Sequence, residues 1–209
     1  MFSTKLGFAH KYVPGTREWL TLLLLHGTGG DENDMLGLGR ELAPGSSLLS
    51  PRGRVLENGM SRYFRRFNDR FFDYGDMREQ TLALIDFIKA TAEEYGFDYR
   101  RVVAVGYSNG ANMAGSILLH NPYALKAAVL FRPMVPFTPI IPLKQEGKHV
   151  YISAGTDDQM VPRGETEQLE RMLKKAGANV VVKWTEAGHA LTPEDVEGAK
   201  VWFRENLGE

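Results

Sequence analysis

The stretch Val102-Val103-Ala104-Val105-Gly106-Tyr107-Ser108-Asn109-Gly110 decides the reading of this chain. An unbroken apolar run leads into Gly-x-Ser-x-Gly, and a stretch rich in small residues follows, with Ala111, Ala114 and Gly115. A strand that ends on this pentapeptide and passes straight into a close-packing helix sets a serine on a sharp turn. The hydroxyl then projects beyond the end of the sheet. The two glycines are needed because a side chain at either would collide across the turn, and the serine must accept a strained backbone. The pentapeptide alone is a weak signal. Its flanks make Ser108 a candidate nucleophile.

Outward from this point, short apolar runs recur at 6–13, 20–26, 46–50, 127–131, 150–154 and 180–184. Several are apolar on both faces, as strands covered by helices on both sides must be. Between them lie amphipathic stretches. Residues 77–95 place Leu84, Ile85, Ile88 and Ala92 on one stripe, with Asp76 as N-cap, Glu79 completing a capping box and Gly96 as the stop. Further helices are expected at 111–120 and 165–176, the latter ending at Gly177. A last helix is capped by Thr192, starts at Pro193 and buries Val196, Ala199 and Phe203. This alternation predicts one α/β domain over 1–209, with about seven mostly parallel strands and helices on both faces. Segment 54–75 breaks the pattern. It mixes Tyr63, Phe64, Phe67, Phe71, Phe72 and Tyr74 with Arg62, Arg65, Arg66 and Arg70, and a loop of this length in a compact domain usually serves function.

Bulk properties narrow the function classes. A chain of 209 residues suits one well-buried domain better than two. With 25 basic and 26 acidic residues, no global field draws it to nucleic acid or an anionic membrane. The arginines of 54–75 are expected to pair with Glu57, Asp69 and Asp73 rather than with phosphates. There is no cysteine, which excludes disulfides, thiolate metal sites and a cysteine nucleophile. Residues 1–15 show no signal-peptide pattern, and the apolar run 20–25 is far short of the roughly 20 residues that span a bilayer. A soluble cytoplasmic enzyme is expected; a homodimer is compatible with this reading.

A serine hydroxyl needs a base. Two histidines follow it at useful distance. His149 precedes an apolar strand, at the wrong edge of the sheet. His189 lies after the strand ending at Trp184, at the carboxyl end where α/β ligand sites form. The orienting acid is expected in Gly155-Thr156-Asp157-Asp158-Gln159-Met160-Val161-Pro162, where spacing alone does not separate Asp157 from Asp158. Finally, His26-Gly27-Thr28-Gly29-Gly30-Asp31 is a glycine-rich turn directly after a strand. It suits an oxyanion hole built from the backbone N–H groups of Thr28 and Asn109. Such turns also cradle phosphates, but neither G-x-G-x-x-G nor G-x-x-x-x-G-K-[ST] occurs in the chain.

These four blocks, in this order and spacing, resemble the bacterial carboxylesterase/phospholipase family of α/β-hydrolases, related to acyl-protein thioesterases and dienelactone hydrolases. The resemblance covers nearly the whole chain. It implies an α/β-hydrolase fold with a minimal lid and a Ser108–His189–Asp158 triad, the family's G-x-x-D-x-[hydrophobic]-V-P pattern falling on Asp158 and not Asp157. It implies no metal and no cofactor. Two positions depart from the thioesterase relatives, which often carry Gln where Asn109 stands and Leu where Thr28 stands. Both donate from the backbone, so the departure bears on substrate rather than on chemistry. The expected activity is hydrolysis of small soluble carboxylic esters with short-to-medium acyl or aryl groups. An acyl-thioesterase or lysophospholipase is the alternative, and a non-catalytic binding protein on the same fold a remoter one. An apolar wall of Phe64, Phe67, Phe71 and Phe72 is expected over Ser108, joined by Met134 and Met160.

Overall fold

The computed structural model describes residues 2–3, 7–16, 20–68 and 71–208. In chain order the elements are β1 (Phe2–Ser3), β2 (His10–Val13), β3 (Thr21–Leu25), α1 (Leu36–Leu42), β4 (Ser47–Pro51), β5 (Val55–Glu57) and β6 (Met60–Arg62). Then follow α2 (Tyr74–Tyr95), β7 (Val102–Tyr107), α3 (Asn109–His120), β8 (Ala127–Phe131), β9 (His149–Gly155), α4 (Arg163–Lys175), β10 (Asn179–Thr185) and α5 (Pro193–Leu207). The main sheet has the order β1-β2-β4-β3-β7-β8-β9-β10. Strands β1 and β2 join antiparallel at one edge, and every pairing from β4 to β10 is parallel. The seven expected strands are all present, although Leu6, where the first was expected to begin, lies outside the described residues.

Period-two alternation explains how the sheet is covered on both faces. Leu23 and Leu25 pack into one core with Ala104, Leu130 and Ile152, beneath α2, α3 and α4. Their neighbours Leu22 and Leu24 face the other core with Val103, Val105 and Phe131, beneath α1 and α5. Because both faces are occupied, β3 beyond Thr21, β7 as far as Gly106 and β8 are apolar at consecutive positions rather than alternating.

Three details differ from expectation. The N-cap of α2 is Asp73, whose side chain accepts the Asp76 N–H at 3.0 Å, so the helix starts at Tyr74, three residues earlier than expected. Asp76 is instead buried in the first turn, where its carboxylate accepts the Arg65 N–H at 2.6 Å and ties the helix to segment 54–75. That segment holds a hairpin, β5–β6, turned by Asn58 and Gly59, both at positive φ. Helix α1 is also new, inserted between β3 and β4. Elsewhere the expected punctuation is in place. Gly96 closes α2 at φ 75°, and Thr192 and Asp195 form a capping box ahead of Pro193 at the start of α5.

Candidate active site

All parallel strands present their carboxyl ends to the same side, and the residues singled out by sequence converge there. Ser108 joins β7 to α3 at φ 53° and ψ −114°, a backbone region that residues with a β-carbon rarely occupy. The surroundings enforce it. A Cβ on Gly106 would stand 2.5 Å from the Gly110 carbonyl oxygen, and one on Gly110 would stand 2.0 Å from that of Leu25. Only glycine permits so close an approach of the elbow to β3. The Ser108 N–H donates to the Phe131 carbonyl at 2.9 Å, and its own carbonyl accepts from Asn112 at 3.0 Å, which pins the turn at both ends.

His189 stands in the loop between β10 and α5. Its Nε2 lies 2.9 Å from Ser108 Oγ and its Nδ1 lies 2.8 Å from Asp158 Oδ2. In the neutral ring this places the proton on Nδ1, facing the carboxylate, and leaves Nε2 to accept from the serine hydroxyl. The remaining oxygen of Asp158 accepts the N–H groups of Met160 at 2.8 Å and Val161 at 2.9 Å. The carboxylate is therefore fixed on both sides, with its side chain 1% exposed. The Asp157 side chain is exposed and meets only Thr156 of its own loop, while its backbone N–H donates to the Ala187 carbonyl of the loop that carries His189 at 3.0 Å. His149 opens β9 at the far end of the sheet and meets Asn206 at 3.0 Å.

Thr28 and Asn109 line the same cavity as Ser108 and His189. Both are braced from segment 54–75: the Arg62 guanidinium donates to Thr28 Oγ1 at 2.7 Å, and the Tyr63 N–H to Asn109 Oδ1 at 2.8 Å. The Gly29 N–H donates to the Ser61 carbonyl at 2.8 Å. Behind the turn, buried His26 accepts the Gly53 N–H on Nε2 at 3.0 Å and donates from Nδ1 to the Gly27 carbonyl at 2.6 Å. Burial pushes its pKa down, so it stays neutral and keeps this bonding pattern.

The cavity encloses about 250 Å³. Its wall differs from the phenylalanine wall expected. Phe72, Met134 and Met160 line it, but Phe64, Phe67 and Phe71 do not. Phe64 is fully buried in the core, edge-on to Phe72 at 5.1 Å, while Phe67 and Phe71 point to solvent at 77% and 61% exposure. The cause is pleating: Arg66 bridges antiparallel to Phe72, which turns 66 and 72 inward and their neighbours 67 and 71 outward. Val161 adds to this apolar part, and Arg62, Arg66, Asn112, Arg132 and Gln159 complete the wall. Arg62 and Arg66 share Glu57, at 3.6 and 2.8 Å, and Arg65 pairs with Asp73 and Asp76. The expected partner Asp69, like Arg70, lies outside the described residues. A larger cavity, about 480 Å³, lies at the other end of the sheet between Tyr12, Thr21, Ser47 and Phe97. No histidine lines it, so chemistry and not volume selects the site.

Arg132 is a residue the sequence reading passed over. Its signal was a charge set directly behind the fully apolar strand β8. It forms a wholly buried ion pair with Asp195 at 2.7 Å, both side chains 0% exposed. Burial pushes the Asp195 carboxyl up, but hydrogen bonds from Arg132, Ser153 and Thr192 outweigh it and hold the pKa at about 2. A folded-state pKa below the unfolded value stabilises the fold above the unfolded pKa, near 4, and that stabilisation is lost as pH falls towards 2. We expect the melting temperature of Asp195→Asn to lie below that of the native protein by a constant margin above about pH 5, and the gap to close between about pH 4 and pH 2. A gap independent of pH would contradict the ionised state of Asp195.

Among the described residues no helix is long and apolar enough to cross a membrane, and no group of three or more His, Asp or Glu side chains is placed to hold a metal ion. The dienelactone hydrolase family model matches residues 62–202. MhqD of Bacillus subtilis (strain 168), which carries a hydrolase's name, is 46% identical over 198 residues, covering 95% of this chain and 98% of that protein. The crystal structure of a Bacillus cereus carboxylesterase superposes with a TM-score of 0.96 at 44% identity, over 97% of this chain and 96% of the other. The structure of YahD with malic acid superposes with a TM-score of 0.89 at 32% identity, over 94% and 98%. Fold, sequence match and relatives agree: this chain is an α/β-hydrolase and belongs to the dienelactone hydrolase family.

Proposed function

We propose that the protein is a serine carboxylesterase acting on small soluble esters. One observation carries the proposal: Ser108, His189 and Asp158 form a continuous hydrogen-bonded line that opens into the 250 Å³ cavity. Ser108 Oγ attacks the ester carbonyl while His189 Nε2 takes its proton. Asp158 stabilises the imidazolium so formed, and the N–H groups of Thr28 and Asn109 receive the oxyanion. His189 then returns the proton to the leaving alcohol. In the second half, water activated by the same nitrogen releases the acid from Ser108.

The cavity suits a short acyl group. It lies at or below the lower end of the range that holds drug-sized ligands, about 300 Å³. Arg62, Arg66 and Gln159 make part of its wall polar, which favours acyl groups carrying oxygen over plain alkyl chains. The malic acid held by the structure of YahD, a small polar acid, supports the same preference. The test is a panel of p-nitrophenyl esters, from acetate to dodecanoate with the hemisuccinate included, and one butyryl thioester. We expect kcat/KM to be highest at six carbons or fewer, to fall at least tenfold by dodecanoate, and to favour the oxygen ester over the thioester. Met160→Ala widens the wall and shifts the hexanoate-to-acetate ratio about tenfold, the scale of one to two methylene contacts. Phe67→Ala and Phe71→Ala leave the ratio unchanged. A preference for dodecanoate or for the thioester overturns the reading.

A further inference from the structure

Arg132 lines the catalytic cavity, yet every nitrogen of its guanidinium is bound within the protein. Nε donates to the Gly188 carbonyl at 3.0 Å. Nη1 donates to Ser153 Oγ at 2.9 Å and to Asp195 Oδ1 at 3.0 Å. Nη2 donates to Asp195 Oδ2 at 2.7 Å, the Ala190 carbonyl at 3.2 Å and Thr185 Oγ1 at 3.3 Å. The fork serves the fold around it and not an incoming ligand.

What it holds is the loop that carries His189. Gly188 and Ala190 are the two neighbours of His189, and both present their carbonyls to the same guanidinium. The carbonyl between them, that of His189, accepts from the Tyr107 hydroxyl at 3.2 Å, and Tyr107 immediately precedes Ser108. Three successive carbonyls of an irregular loop are thus held by side chains from β7, the strand that leads into Ser108, and from just past the end of its neighbour β8. The cost of this arrangement is visible. Arg132 stands at φ 56°, rare for a residue with a β-carbon, and a fully buried ion pair is commonly no more stable than an apolar replacement.

We propose that Arg132, locked in place by Asp195, is a positioning residue that sets the imidazole of His189 against Ser108 Oγ. Asp195 contributes rigidity. It sits in the first turn of α5, accepts from the Thr192 N–H and hydroxyl and from Ser153, and so fixes the guanidinium from the far side. The inference rests on His189 being the base, and the experiment keeps the two claims apart.

Arg132→Lys keeps a positive charge beside Asp195 but lacks the planar fork that reaches both carbonyls. Arg132→Met/Asp195→Leu removes both charges, so neither is left buried and alone. Each is assayed for kcat, for KM and for the rate of fluorophosphonate labelling, at a temperature where circular dichroism shows it folded. We expect kcat and labelling to fall together by about 10- to 100-fold with KM within twofold, since a displacement near 1 Å in a catalytic group costs about 10²-fold. Native kcat and labelling in either folded variant, with only the melting temperature lowered, overturns the proposal. His189→Ala runs alongside. If it labels at the native rate, the base assignment itself fails; if it is inert while Arg132→Lys is native, only the positioning role fails.

Discussion

Ser108→Ala lowers kcat for ester hydrolysis by on the order of 10⁶, the scale seen when a serine hydrolase loses its nucleophile. The oxygen it removes lies 2.9 Å from His189 Nε2, the nitrogen proposed to take its proton. Alanine has a β-carbon as serine does, so the positive φ at 108 is no more strained than before, and the backbone bonds to Phe131 and Asn112 persist. Melting temperature should therefore stay within a few degrees of native. Some hydrolysis above the rate in water is expected to remain, because the Thr28 and Asn109 N–H groups proposed to receive the oxyanion, and the cavity, are untouched. Activity within tenfold of native in the folded variant would exclude Ser108 as nucleophile.

Asp158→Asn lowers kcat by about 10⁴-fold, through the tautomer of His189 rather than through the fold. One oxygen of Asp158 accepts the N–H groups of Met160 and Val161, so the asparagine carbonyl takes that place and its NH₂ group faces Nδ1. An NH₂ group donates, so Nδ1 must accept and the ring proton moves to Nε2. The nitrogen facing Ser108 then has no lone pair to receive the hydroxyl proton. Asp157→Asn costs about tenfold or less, because that side chain is exposed and bonds only within its own loop. The two variants are compared by kcat on one ester at one pH. Equal losses would mean that loop 155–162 works as a unit and that Asp158 has no separate role.

The two loops around Ser108 show how far sequence reaches. Val102–Gly110 specified its strand, turn and helix outright, because the apolar run, the two glycines and the small residues all demand the same local geometry. The choice between Asp157 and Asp158 was not in the spacing. It is made by the direction in which the loop turns, which the N–H groups of Met160 and Val161 fix. In segment 54–75 the aromatic content was legible but its facing was not. A one-residue shift of pleat exchanges inside for outside, and it sent Phe67 and Phe71 to solvent while Phe72 reached the cavity. The β5–β6 hairpin did leave a mark, the pair Asn58-Gly59, whose shared positive φ suits a tight turn. Its flanks, three residues each and mixed in polarity, gave no alternation to support it. Arg132 shows the limit from the other side. A lone charge behind a buried strand signals that it must be paired, but its partner lies 63 residues on, in a helix brought close only by the complete fold.

The most direct test of the account is to map the residue that an ester-like probe modifies. The native protein is treated with a fluorophosphonate, and its mass and peptides are compared with those of an untreated sample. We predict one adduct per chain, carried by the peptide containing Ser108, with labelling abolished in Ser108→Ala and slowed by orders of magnitude in His189→Ala. A protein that hydrolyses esters while its adduct sits on any other residue, or while no adduct forms, would contradict it.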